Sequence, residues 1–202
     1  HISDTRYTMS KKKSAAEPVE YIDSQAFDVA KEKIIGKIHN DKGIGTLSEK
    51  TLHAVLKMYY EPDEDNHEVA IDGYFADIYN EHGIIEIQTR QLNKLRDKLS
   101  VFLNEYQVRV VYPMPYEKYL SWIEPETGDI TSRRKSPKRC SVYDAMFELY
   151  KIKAFLKNQN LKVTLLLIDM EEYKLLNGWS YDKKRGSVRY DRIPVSYTHL
   201  RA

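Results

Sequence analysis

The sequence predicts an α/β protein: a helix, a three-strand antiparallel meander, a helix and a strand, followed by an inserted hairpin and a further helix and strand. Three observations carry this expectation. Residues 73–90 read as two apolar strands joined by the turn Asn80-Glu81-His82-Gly83, with turn-forming residues at both ends. Apolar residues at helical spacing bracket them, on one side Leu52, Val55, Leu56 and Tyr59, on the other Leu92, Leu95, Leu99, Phe102 and Leu103. Further on, Lys162–Ile168 is a continuous apolar run, as expected of a strand buried on both faces.

Taken in order, residues 25–38 carry Phe27, Ala30, Ile34, Ile35 and Ile38 on one helical face, and Gly43-Ile-Gly45 breaks the chain. No third glycine and no Gly-Lys-Ser/Thr follows, so neither dinucleotide nor P-loop chemistry is supported. A second helix is expected over 46–60, where Thr46-Leu-Ser-Glu49 fits a capping box. The first strand runs from His67 to Asp72, and the hairpin of 73–90 follows. A helix over 91–105 leads to the strand Gln107–Tyr112, which Pro113 and Pro115 are expected to end. Residues 116–140 read as an insertion whose hairpin turns at Thr127-Gly128-Asp129. An amphipathic helix over 142–157 is expected to bury Met146, Phe147, Leu149, Tyr150, Ile152 and Phe155, and Glu171-Glu-Tyr173 to begin an irregular region.

Composition bounds the function. An apolar share of 42% suffices for a core, and a net charge of +2 provides no global attraction for polyanions. The one cysteine, Cys140, excludes an internal disulfide and fits a reducing compartment. No apolar run reaches membrane-spanning length and no signal-peptide pattern opens the chain, so a cytoplasmic protein without a membrane partner is expected. Residues 1–24 are polar and are expected to be disordered or non-native. Residues 25–194 are expected to form one α/β domain, truncated at its C-terminal end. Residues 195–202 resemble translated adapter sequence and are set aside.

The chemistry-bearing feature lies in the hairpin. If Tyr79 faces Ile84, antiparallel register puts Asp77 opposite Glu86, with Cβ atoms roughly 5 Å apart. Gln88, two residues on, falls on the same face, and Ala76, Ile78, Ile85 and Ile87 form the opposite, core-facing set. Opposed like charges destabilise a sheet, and a divalent cation between them reverses that penalty, since magnesium prefers hard oxygen ligands. His67 and His82 lack zinc-ligand spacing.

Asp77, a turn, then Glu86-Ile-Gln88 resembles the signature of the PD-(D/E)xK nuclease superfamily, the restriction-endonuclease-like fold, over residues 46–112. Ala76 stands in place of the signature proline and Gln88 in place of the lysine. The resemblance implies a nuclease-like domain that binds Mg2+ or Mn2+ through Asp77, Glu86 and the Ile87 carbonyl and cleaves DNA. It implies that a helix-borne lysine, Lys94 or Lys98, can replace the missing one, and that Glu49 can join the site. The capping box gives Glu49 a structural role as well. Ser132–Arg139 adds five basic residues (Arg133, Arg134, Lys135, Lys138 and Arg139) as a phosphate-contacting surface, and Lys183, Lys184, Arg185, Arg189 and Arg192 form a second cluster.

Residues 43–194 also resemble an uncharacterised bacterial family, through Leu47–Leu56, Gly73–Arg90, Arg134–Lys138 and Gly178-Trp-Ser180. Two other readings stand beside a nuclease: a catalytically inactive nuclease-like module that binds nucleic acid or regulates, and a protein-interaction domain using its 16 tyrosines.

Overall fold

The computed structural model describes residues 23–41, 50–124, 126–130, 133–175 and 188–201. The proposed capping box at 46–49, the Gly43–Gly45 break, Gly178-Trp-Ser180, Lys183–Arg185 and residues 1–22 lie outside them. Two helices, α1 (Ser24–Asp41) and α2 (Lys50–Tyr60), precede the meander β1 (His67–Ile71), β2 (Tyr74–Asn80) and β3 (Gly83–Ile87). A 3-10 turn, Leu92–Leu95, runs into α3 (Arg96–Phe102), and β4 (Val108–Ile123) follows. Then come β5 (Arg134–Lys135), a 3-10 turn at Val142–Ala145, α4 (Met146–Lys151), β6 (Leu161–Leu175) and β7 (Val188–Arg201). The backbone of residues 195–201, set aside in the sequence reading, belongs to β7.

All strands join one sheet in the order β1-β2-β3-β4-β6-β7, with β5 paired to β4. β1, β2 and β3 pair antiparallel, β3 with β4 and β4 with β6 parallel, and β6 with β7 antiparallel. Both meander turns are two-residue connections. Asp72 and Gly73 both have positive φ (48° and 83°), which closes β1 onto β2 with the twist that strands prefer. At the second turn the Asn80 side chain accepts the His82 N–H at 3.0 Å, and Asn80 pairs with Gly83.

Each sheet face is covered by helices. On one, Phe27 of α1 and Leu52, Val55 and Leu56 of α2 pack on Ile78, Ile85, Ile87, Val111, Leu166 and Ile168. On the other, Leu92, Leu95, Leu99 and Phe102 pack with Ile84, Val108, Val110 and Ile152. The parallel β3–β4 pair needs a crossover, and the helical segment 92–102 supplies it.

The structure corrects four expectations. The strand expected to stop at Tyr112 continues through both prolines to Ile123, so the start of the expected insertion is sheet. In a parallel ladder, alternate residues serve alternate neighbours. The Val111 carbonyl accepts the Gln88 N–H (3.0 Å), so Val111, Pro113 and Pro115 all face the β3 side. β3 has ended at Ile87, paired with Val111, and the missing proline N–H groups cost no ladder bond. Likewise Glu171-Glu-Tyr173 is regular β6, paired in register with β4 and β7. The helix expected over 91–105 is confined to 92–102, after Gln91 enters the left-handed region (φ 53°). The helix over 142–157 also shortens, ending at Lys151, and buries only part of the expected set: Leu149, Ile152 and Phe155 pack inward with Ala145, whereas Met146, Phe147 and Tyr150 are exposed. Apolar residues occupy two sides of this segment, and contact with β4 and β6 selects one.

Gly83 is where the meander depends on a single residue. Its φ is 104°, and a Cβ there would stand 2.3 Å from the Gln107 carbonyl oxygen. That same carbonyl accepts the Ile84 N–H at 2.9 Å and ties β3 to the entry of β4. Gly83→Ala is expected to lower unfolding free energy by about 3 kcal/mol in urea titration, from backbone strain and displacement of Gln107 together. A change within about 0.5 kcal/mol, the usual surface value, contradicts this account.

Candidate active site

The register of β2 and β3 pairs Ile78 with Ile85 and Tyr79 with Ile84, so Asp77 stands opposite Glu86. Here the ladder stops being main chain to main chain. The Ile87 N–H donates to Asp77 Oδ2 at 2.7 Å, and the Asp77 N–H lies 3.4 Å from Glu86 Oε1. Each acid takes an amide from the opposite strand, and the strands part around the two carboxylates. On the other flank, Glu68 of β1 has φ 52° and breaks the run between the pairs His67–Ile78 and Val69–Ala76. The side-chain alternation of β2 is reset at Asp77: Ile78 packs toward α2, but Ala76 joins the α3 side. The single core face expected for Ala76, Ile78, Ile85 and Ile87 is therefore split between the two sides, although all four are buried.

Helices on opposite faces supply donors to this junction. From α2, His53 Nε2 lies 3.2 Å from Asp77 Oδ2. From α3, Lys98 Nζ donates to both oxygens of Glu86, at 2.9 and 3.1 Å. Leu99, the next residue, is fully buried, and it fixes the turn of α3 from which Lys98 reaches Glu86. The Glu86 side chain is 2% exposed and that of Asp77 14%, whereas those of Lys98 and His53 are 25% and 29% exposed, so the partners, and not the acids, face solvent.

The two carboxyls are driven apart in acidity. Burial raises the Glu86 pKa, the Asp77 charge raises it further, and Lys98 only partly offsets both, leaving it at about 7. Burial also raises Asp77, but the His53 hydrogen bond and charge, the Ile87 amide and the Lys98 charge outweigh it and hold it below its usual value. Environments that separate two neighbouring acids in this way are typical of functional sites.

Of the other sequence candidates, Gln88 donates its amide to the Arg90 carbonyl, and its own N–H bonds Val111. Lys94 is exposed on the 3-10 turn; the bond to Glu86 is made by Lys98. Glu49 lies outside the described residues. Sequence reasoning missed His53, whose signal was its place one helical turn beyond Glu49. Among the described residues, no group of three or more His, Cys, Asp or Glu side chains is placed to hold a metal ion. A cation here would rest on Asp77, Glu86 and main-chain oxygen.

The basic segment is strapped to the sheet by its own acids. Lys135 and Arg139 pair with Glu117 at 2.7 and 2.5 Å, and Arg133 pairs with Glu171 at 3.4 Å. The Arg133 guanidinium also stacks 3.5 Å above the Tyr119 ring. Arg134 and Lys138 are exposed.

Fold and site together define an α/β protein with a buried pair of acids at a parted strand junction, flanked by a histidine and a lysine. Residues 50–201 match the family described as "Domain of unknown function (DUF8091)", and the chain belongs to it. It is similar to an uncharacterised protein of Treponema pallidum (strain Nichols), 32% identical over 150 residues, covering 74% of this chain and 57% of that protein. The chain thus spans little more than half of that relative's length. No solved structure matches. No helix among the described residues is long and apolar enough to cross a membrane.

Glu86 sets a pH signature. Its carboxyl is more basic folded than unfolded, so its contribution to stability is complete below about pH 4.5 and is lost as pH rises through about 7. Asp77, held low, stays ionised across that window. Glu86→Gln is therefore expected to raise the melting temperature relative to the wild type more at pH 8 than at pH 5. An equal difference at both pH values in calorimetry refutes the assignment.

Proposed function

We propose that the chain is a metal-dependent phosphodiesterase acting on DNA. The observation that supports this best is the bond from Lys98 to both oxygens of Glu86, opposite Asp77. Two acids and a lysine are then gathered at one point, with the lysine coming from a helix while Gln88 stands at the strand position. The order of helix, three antiparallel strands, helix and parallel strand fits the restriction-endonuclease-like reading.

The donor set suits a hard divalent cation. Asp77 and Glu86 offer carboxylate oxygens, and their repulsion, which contributes to raising Glu86, is what a cation would relieve. When bound, such an ion polarises the scissile phosphate and lowers the pKa of a coordinated water. In hydrolysis the water oxygen bonds to phosphorus, the bridging P–O bond breaks, and the leaving oxygen takes a proton. Lys98 contributes positive charge and three N–H donors beside Glu86, suited to steadying a phosphate oxygen or orienting the water. His53 is a positioning residue that holds the Asp77 carboxylate. Gln88 brings no charge, and its amide is engaged by Arg90.

One observation favours a second reading, a nuclease-like module that binds nucleic acid without cutting. Both acids are satisfied by protein donors, and Glu86 is almost fully enclosed. Calorimetry with Mg2+ and Mn2+ followed by a plasmid-nicking assay separates the two, since metal binding without nicking supports the module. For the enzyme, Asp77→Ala is expected to abolish metal-dependent nicking. Lys98→Met is expected to reduce it about a hundredfold or more, as loss of a transition-state donor does, and Lys94→Ala to leave it within about twofold, as expected of a side chain outside the transition-state contacts. Undiminished nicking by Asp77→Ala would falsify the proposal.

A further inference from the structure

We infer that the exposed aromatic stripe on the segment 142–151 is a binding surface for single-stranded nucleic acid; this deepens the nucleic-acid reading above and rests on it. Tyr143, Met146, Phe147 and Tyr150 are 77%, 51%, 82% and 66% exposed. Their spacing puts them on one side of the helical segment, opposite the buried Ala145 and Ile152. Scattered exposed apolar residues need no explanation, but a row of four on one short segment does. Three of the four are aromatic rings, and none is a branched aliphatic.

Charge favours a polyanion as the occupant. Residues 133–157 hold eight basic and two acidic residues; Arg133, Lys135, Arg139 and Lys151 are paired with carboxylates, which leaves Arg134, Lys138, Lys153 and Lys157 without an ion pair among the described residues. Both acids are engaged locally. Asp144 accepts the Ser141 N–H and hydroxyl at 2.7 and 3.0 Å, and Glu148 accepts the Leu92 N–H at 2.9 Å and pairs with Lys151. Lys138, Lys153 and Lys157 are exposed before and after the segment in the chain, and Lys153 Nζ lies 4.3 Å from the centre of the Tyr150 ring and donates to its hydroxyl at 2.9 Å. Open rings that stack bases, among cations that follow the phosphates, are the recurring means of holding a single strand. In a duplex the bases are stacked on one another and offer no faces to such rings. The Glu148–Leu92 bond, together with that from Arg96 Nε to the Lys151 carbonyl, joins this segment to the helical unit that carries Lys98. Unpaired strand and cleavage centre therefore share one structural unit.

Fluorescence anisotropy in EDTA, with a labelled twenty-nucleotide dT strand and the matching duplex over a salt series, tests the inference. The wild type is expected to prefer the single strand. Phe147→Ala with Tyr150→Ala is expected to weaken it about tenfold or more with the salt slope unchanged. Lys138→Ala with Lys153→Ala and Lys157→Ala is expected to flatten the slope. Because these side chains are exposed, unchanged melting temperatures serve as the folding control. Because EDTA removes divalent metal, binding is read without cleavage, so a failed cleavage centre is distinguishable from a failed binding surface. Preference for duplex, full affinity in the ring variant, or ring-dependent self-association by sedimentation without strand binding overturns the inference.

Discussion

The structure turns on one substitution in a hydrogen-bond ladder. Between β2 and β3 the Ile87 N–H bonds the Asp77 carboxylate where a sheet would offer a carbonyl. That exchange interrupts the main-chain ladder and resets which way β2 side chains face, between helices lying on opposite sheet faces. His53 and Lys98 reach the two acids from the two sides. Without the parted ladder, Asp77 and Glu86 would be an ordinary opposed pair under the helix that covers their face. With it, they are enclosed acids of different basicity, each held by a separate helix.

This arrangement opposes stability. A carboxyl brought to about 7 by burial and by a neighbouring charge is a strained element in a fold that is otherwise well satisfied. The surrounding packing tolerates it: Ile84, Leu95, Leu99 and Phe102 bury one side, and Leu52, Val55 and Ile85 the other. Local rules that fail inside a consistent framework usually mark function.

Much of this was legible in the sequence, and what was not has identifiable causes. The β2–β3 register followed from turn residues and strand period, and so did the opposition of Asp77 and Glu86. Lys98 was readable only as one of two lysines a turn apart; choosing it required knowing that Lys94 lies on a 3-10 turn and that the helix proper begins at Arg96. His53 was missed because its one signal, a helical turn beyond Glu49, points nowhere until the strand that the helix faces is known. The long β4 was hidden by Pro113 and Pro115, which stop a strand only where their missing N–H groups would have been used. The segment 142–151 carries apolar residues on two sides, and periodicity alone could not tell which one the sheet would take. The α/β class and the order of elements withstood these errors because they depend on many residues at once.

Those prolines have a consequence of their own. Beyond Ile87, β4 outlasts β3, and a bare strand border of this kind invites pairing by a stray polypeptide. Pro113 and Pro115 fall on the positions that face that border, and neither can donate to an intruder. The Cys140 N–H claims the Pro115 carbonyl at 3.2 Å, and β5 pairs farther along. The two prolines thus make this stretch of β4 a poor template for a further strand.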